Sequence, residues 1–125
     1  MTTIRRLEDL EIWKEAKELG KEIYRLTEKF PKSEDYNLKR HLRENARGVP
    51  ANIAEGFSRY FRKERLYFYD IAKGCLGEMK SDIYFSNDVG YLEEYLIKPV
   101  LEKIDRLERR LNSFIGVTAK RVKKL

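Results

Sequence analysis

The sequence predicts an all-α protein folded as an antiparallel up-down four-helix bundle, and three observations carry that prediction. Four stretches place apolar residues in alternating steps of three and four, the period of a helix with one buried face. The breaks between them are short, so consecutive helices turn back on one another. Seven glycines and three prolines against 38% charged residues favour a well-solvated helical surface over a β-sandwich or a disordered tail.

The first segment covers residues 7–29, with Ile12, Ala16, Leu19, Ile23, Leu26 and Phe30 forming a heptad-like seam. Phe30-Pro31-Lys32-Ser33 breaks it. Ser33 then reads as the next helix start, its hydroxyl a cap and Glu34 and Asp35 acids placed where the helix dipole favours them. The second segment runs to residue 57 and contains Val49-Pro50-Ala51-Asn52-Ile53-Ala54-Glu55-Gly56, the most informative run of the chain. Proline has no N–H and crowds the carbonyl four residues back, here Ala46, at a cost of about 3 kcal/mol in a helix interior. The spacing Leu38, Leu42, Ala46, Val49, Ile53, Phe57 nevertheless passes through Pro50, which predicts a helix kinked there rather than ended.

Residues 58–62 read as a short turn or a continuation. The third segment, 63–87, sets Phe68, Ala72, Cys75, Met79 and Ile83 on one side. Gly74 and Gly77 each cost about 1 kcal/mol of helix propensity, and with Ala72 and Cys75 they would let another backbone approach closely. Asn87-Asp88-Val89-Gly90 is a stop, with a glycine free to take positive φ. The fourth segment starts between residues 93 and 98 and keeps Ile97, Val100, Ile104, Leu107, Leu111 and Phe114 in register, with Pro99 suited to a first turn. Residues 117–125 carry Lys120, Arg121, Lys123 and Lys124 without an apolar face and are expected to fray. At 125 residues the chain makes one domain, with a helical core over about 7–116. Trp13, Tyr24, Tyr67, Tyr69, Tyr84 and Phe85 lie off the main seams, more aromatics than one core needs, which points to contacts between subunits.

Twenty-seven lysines and arginines against 21 acids leave a net charge of +6, suited to an anionic partner. One cysteine makes no internal disulfide, and with one histidine it makes no zinc site, so the expected setting is a reducing cytoplasm with no cofactor. No stretch approaches the roughly 20 apolar residues of a membrane span, and residues 1–6 lack the apolar core of a secretion signal.

Two groups of residues are candidate sites. His41, Asn45, Gly48, Asn52, Glu55, Arg59 and Arg62 form a polar stripe at helical spacing. The stripe either lines a groove, with the arginines on phosphate, or is structural, with Asn52 covering carbonyls freed by Pro50 and Glu55 pairing with Arg43 or Arg59. Arg59, Arg62, Lys63 and Arg65 interleave with Tyr60, Phe61, Tyr67 and Tyr69, a pattern suited to single-stranded nucleic acid because cations meet phosphates while rings stack on bases. Its alternative is a helix connection with rings in the core and charges in water. Arg106, Arg109 and Arg110, continuing into the basic tail, form a second patch that adds to the first if the two share a surface. Catalysis finds no support: Ser58, Cys75 and His41 have no nucleophile spacing, and Glu55 and Glu78 lack the Glu-x-x-His element of helical di-metal sites.

The order of Leu10-Glu11-Ile12-Trp13, Tyr24, Thr27, Phe30-Pro31, Glu34, Tyr36, Leu38, Arg43, Ala46, the Val49 to Gly56 run, Lys63-Glu64, Phe68, Ile71-Ala72, Gly74, Leu76, Glu78 and Gly90-Tyr91-Leu92 resembles the 23S rRNA intervening-sequence proteins. Gly48 and Cys75 stand where that family usually has serine. The resemblance implies a four-helix bundle assembled as a ring-shaped homopentamer, with Arg43, Asn52, Glu55 and Glu78 in its polar stripe. Related bundles are similar to accessory proteins of diversity-generating retroelements, in which a basic ring works beside a reverse transcriptase. The expected function is a non-enzymatic oligomer that binds RNA or DNA through basic surface; the alternative is a protein-interaction scaffold or retroelement accessory ring that does not itself touch nucleic acid.

Overall fold

The computed structural model describes residues 5–123, and the side chains of residues 5–120. A 3-10 turn at Leu7–Asp9 leads into α1 (Glu11–Thr27), and a second at Lys32–Glu34 precedes α2 (Leu38–Ser58). α3 (Arg62–Asp88) and α4 (Glu94–Lys123) complete the bundle, with no strand among the described residues. α1 packs on α2, α2 on α3, α3 on α4, and α4 closes back on α1.

α1 starts later than its apolar pattern because Leu10 is extended and residues 7–9 close a tighter turn. Ser33 does not cap α2. Glu34 takes that work: its Oε1 accepts the Leu38 N–H at 3.2 Å and the Asn37 amide at 3.0 Å, while Oε2 accepts the Tyr91 hydroxyl at 2.9 Å. These donors, Tyr91 foremost, hold the Glu34 carboxyl below the ordinary carboxylate range. α2 continues through Pro50 as one helix. Gly90 takes φ +86° after α3, as its place in the stop signal requires, and the Ser86 carbonyl accepts the N–H groups of Tyr91 and Leu92. α4 runs through Gly116 to Lys123, so helix replaces the expected frayed segment as far as the described residues reach. Residues 124 and 125 and the side chains of 121–123 lie outside them.

A single apolar cluster draws on all four helices, with Ile23, Leu42, Ile53, Leu76, Ile83, Ile104 and Leu111 fully buried. The seams of α1, α2 and α4 follow the apolar spacing. On α3 Ala72, Met79 and Ile83 are buried as the spacing requires, while Tyr69 and Leu76 take the places expected of Phe68 and Cys75, which are only partly covered. The reason is Gly56, where a Cβ would stand 2.6 Å from the Tyr69 ring. The gap at glycine admits the larger ring and turns α3 around it. Burial pushes the Tyr69 phenol up to about 12.

The Ala46 carbonyl, deprived of its helical donor, lies against Gly20, where a Cβ would meet the oxygen at 2.9 Å. Gly74 and Gly77, by contrast, have nothing within reach of a Cβ, so no other helix of the chain uses the close approach they permit.

Candidate nucleic-acid interface

The turn between α2 and α3 carries the first basic patch, and local acceptors claim half of it. Arg59 leaves α2 in an extended conformation, places Nε 3.1 Å from Glu55 Oε2 and Nη1 3.2 Å from Glu64 Oε1, and lays its guanidinium over the Phe68 ring at 4.8 Å. Arg65 Nε donates to the Arg59 carbonyl at 2.6 Å. These two side chains lock the turn. Arg62 and Lys63 have no carboxylate within ion-pair distance among the described residues. Around them Tyr60, Phe61 and Tyr67 stand in solvent, Tyr60 at 87% exposure. The rings are outside rather than in the core, except Tyr69, whose burial removes it from any stacking surface.

The second patch is largely spent within the bundle. Arg106 lies 3.9 Å from Glu15, Arg110 pairs with the same carboxylate, and Lys103 binds Glu22 at 2.6 Å, so α4 cations meet α1 acids along one seam. Arg109 is exposed and has no such partner among the described residues. Tyr69 packs on Phe114 at 5.1 Å and Lys80 meets Asp105, so the register of α3 on α4 sets the α2–α3 turn nearer Lys120 than Arg106; the basic tail beyond Lys120 lies outside the described side chains.

The polar stripe divides between three jobs. His41 Nδ1 sits 2.6 Å from Asp82 across α2 and α3; that hydrogen bond, against some desolvation, raises the imidazole above its ordinary value. Asn45 is buried with its amide nitrogen unpartnered among the described residues. Gly48 faces Cys75, whose thiol is pushed up by burial and then by Glu78 and therefore stays protonated. Asn52 donates to the Gly48 carbonyl at 2.8 Å, not to the Ala46 carbonyl that Pro50 frees. Glu55 selects Arg59 over Arg43, and Glu78 is exposed on α3. No group of three histidines, cysteines or carboxylates among the described residues is close enough to hold a metal.

Arg43 belongs elsewhere. Its Nε donates to Thr27 Oγ1 at 2.9 Å, its Nη2 to the Tyr24 carbonyl at 3.0 Å, and its guanidinium stacks on the Tyr24 ring at 4.5 Å. It lines a groove of about 360 Å³ with Tyr24, Tyr36, Lys39, Arg40 and Arg47. The apolar and α3-facing stripes of α2 pass Arg47 by; the spacing Arg43, Arg47, Pro50 is the signal in the sequence that points to it.

Four packed helices with a proline inside the second, and charged seams between them, define an all-α helical class. The chain belongs to the 23S rRNA-intervening sequence protein family, whose family model matches residues 8–113. A solved structure from Bacteroides thetaiotaomicron VPI-5482, a protein of unknown function from the S23 ribosomal protein family, superimposes with a TM-score of 0.75 at 14% identity, covering 83% of this chain and 97% of its own. At that identity the likeness establishes the fold. No curated protein matches the chain. No helix among the described residues is long and apolar enough to cross a membrane.

Proposed function

We propose that the chain is a non-enzymatic, self-assembling bundle that binds RNA or DNA through basic surface in the cytoplasm. The observation that carries this reading is the pair Arg62 and Lys63, cations without carboxylate partners among the described residues, beside the solvent-exposed rings of Tyr60, Phe61 and Tyr67. The net charge of +6 points the same way. The bundle is antiparallel in this proposal. In support, contacts run in opposite order along neighbours: His41 with Asp82 and Gly56 with Tyr69, Glu15 with Arg110 and Glu22 with Lys103. A bend at Pro50 accompanies it, and family resemblance supplies a ring of five. In a ring even a small patch is repeated, and avidity raises weak phosphate contacts to useful affinity.

A second reading, a protein-interaction scaffold or retroelement accessory ring with no direct nucleic-acid role, draws on Tyr84, Phe85 and Tyr95, which are exposed near the α3–α4 connection. Light scattering with and without a mixed RNA pool, at about 50 and about 300 mM salt, separates the two. The proposal requires an oligomer that gains RNA mass at low salt and sheds it at high salt; an oligomer of constant mass favours the scaffold.

A further inference from the structure

From the groove lined by Tyr24, Tyr36, Arg43 and Arg47, together with the line of α1 that leads from Tyr24 back to Lys17 and Trp13 outside it, we infer a binding site for single-stranded nucleic acid, in which Arg43, Arg47 and Lys17 take phosphates and the aromatic side chains provide the stacking edge. The inference rests on the nucleic-acid reading above and moves its main contact away from the α2–α3 turn. Three observations converge on it.

Charge on α1 is sorted by side. Glu15 and Glu22 point to α4, where Arg106, Arg110 and Lys103 neutralise them. Toward α2, the helical steps Trp13, Lys17, Gly20, Tyr24 contain no acid, and Gly20 and Tyr24 fix that line against Ala46 and Arg43. The carboxylates bordering the groove are already engaged, Asp35 by Lys39 at 3.6 Å and Glu44 by Arg40 at 2.8 Å. Arg43, Arg47 and Lys17 have no carboxylate partner among the described residues.

The cations are also held in place. Arg43 is fixed by Thr27, by the Tyr24 carbonyl and by the ring beneath it, and keeps Nη1 free of protein partners among the described residues. Lys17 Nζ sits over the Trp13 ring at 3.9 Å. Two cation–π pairs thus repeat along one seam over about 16 Å of helix. Tyr36, at 88% exposure, rims the same groove with no hydrogen-bond partner for its hydroxyl among the described residues. Ordered cations lying on aromatic rings, the exposed Tyr36 beside them and the absence of an unpaired acid among the groove's described residues suit a chain of phosphates and bases better than an apolar peptide.

Trp13 is the only tryptophan, so the seam carries its own probe. A fluorescein-labelled oligouridylate reports binding of any kind by anisotropy, while the same oligouridylate without the label reports occupancy of this seam through Trp13 emission. The expected result is that Trp13 emission changes along the anisotropy isotherm. Lys17→Gln with Arg47→Gln should weaken oligouridylate binding roughly 10- to 30-fold near 0.1 M salt and reduce the salt slope by about 1.4, as for two lost single-strand phosphate contacts. Both side chains are exposed, and circular dichroism melting of the variant should match the parent. If anisotropy shows binding while Trp13 emission stays constant and Arg62→Gln with Lys63→Gln alone flattens the slope, the seam inference falls and the nucleic-acid reading stands. If an oligoglutamate peptide of matching length binds as tightly as the oligouridylate, the seam reads bare charge and the inference is overturned. No anisotropy change with the parent protein sinks both.

Discussion

A guanidinium in a basic run is open to a phosphate only where no nearby acceptor claims it first, and at Arg59 two carboxylates and a ring do so. That sorting is only partly visible in the sequence, where Glu55 stands one turn before Arg59 but nothing separates Arg62 and Lys63 from Arg65. The polar stripe is more legible: Glu55 pairs with Arg59 as one reading requires, yet Asn52 serves Gly48, because an amide reaches the carbonyl one turn back on its own face. Glycines follow the same divide. Gly20→Ala should destabilise the protein by about 1–3 kcal/mol in urea melts, since a backbone oxygen cannot step aside as a flexible side chain would. Gly74→Ala with Gly77→Ala should behave oppositely in a monomer, adding up to about 1 kcal/mol each by helix propensity. A loss of oligomer mass in that variant, read by light scattering, would instead place another subunit's backbone on this face.

Helix boundaries are legible where period and stop signal agree, as at Gly90, and hidden where a side chain from another connection intervenes. Glu34 replaces Ser33 as the cap because it also accepts the Tyr91 hydroxyl, a contact 57 residues away in sequence. On α3 Tyr69 rather than Phe68 enters the core, against Gly56 of α2, where no Cβ blocks the ring. Between α2 and α3, the His41–Asp82 bond makes the packing pH-dependent. Its folded-state value lies above the ordinary 6.5, so the contribution is complete below about pH 6.5 and is lost as pH rises through the folded value. Thermal melts at about pH 6 and about pH 8 should show the parent losing more stability with rising pH than His41→Gln. Equal losses in the two proteins would remove His41 from this role.

Across the whole molecule, the positive excess is unevenly distributed: α1 acids absorb the α4 cations, leaving unpaired charge at the α2–α3 turn and along the α1–α2 groove. The four-helix architecture is legible from apolar period alone, but this distribution is not, since it depends on which helices become neighbours. Glu15→Gln with Glu22→Gln should cost only about 0.5–2 kcal/mol, because the pairs are partly exposed. The same change should speed amide exchange on α1 and α4 more than on α2 and α3, and it frees Arg106 and Arg110 to strengthen polyanion binding. The contact between Ala46 and Gly20 ties a proline on α2 to the side-chain size that α1 accepts, and the two positions are expected to be coupled. In a double-mutant cycle, Pro50→Ala supplies the missing donor to Ala46 and draws its oxygen back, and the penalty of Gly20→Ala should shrink by at least about 1 kcal/mol in that background. The size limit at residue 20 is thus set in part by the residue at position 50, and a change at either one is felt in the background of the other.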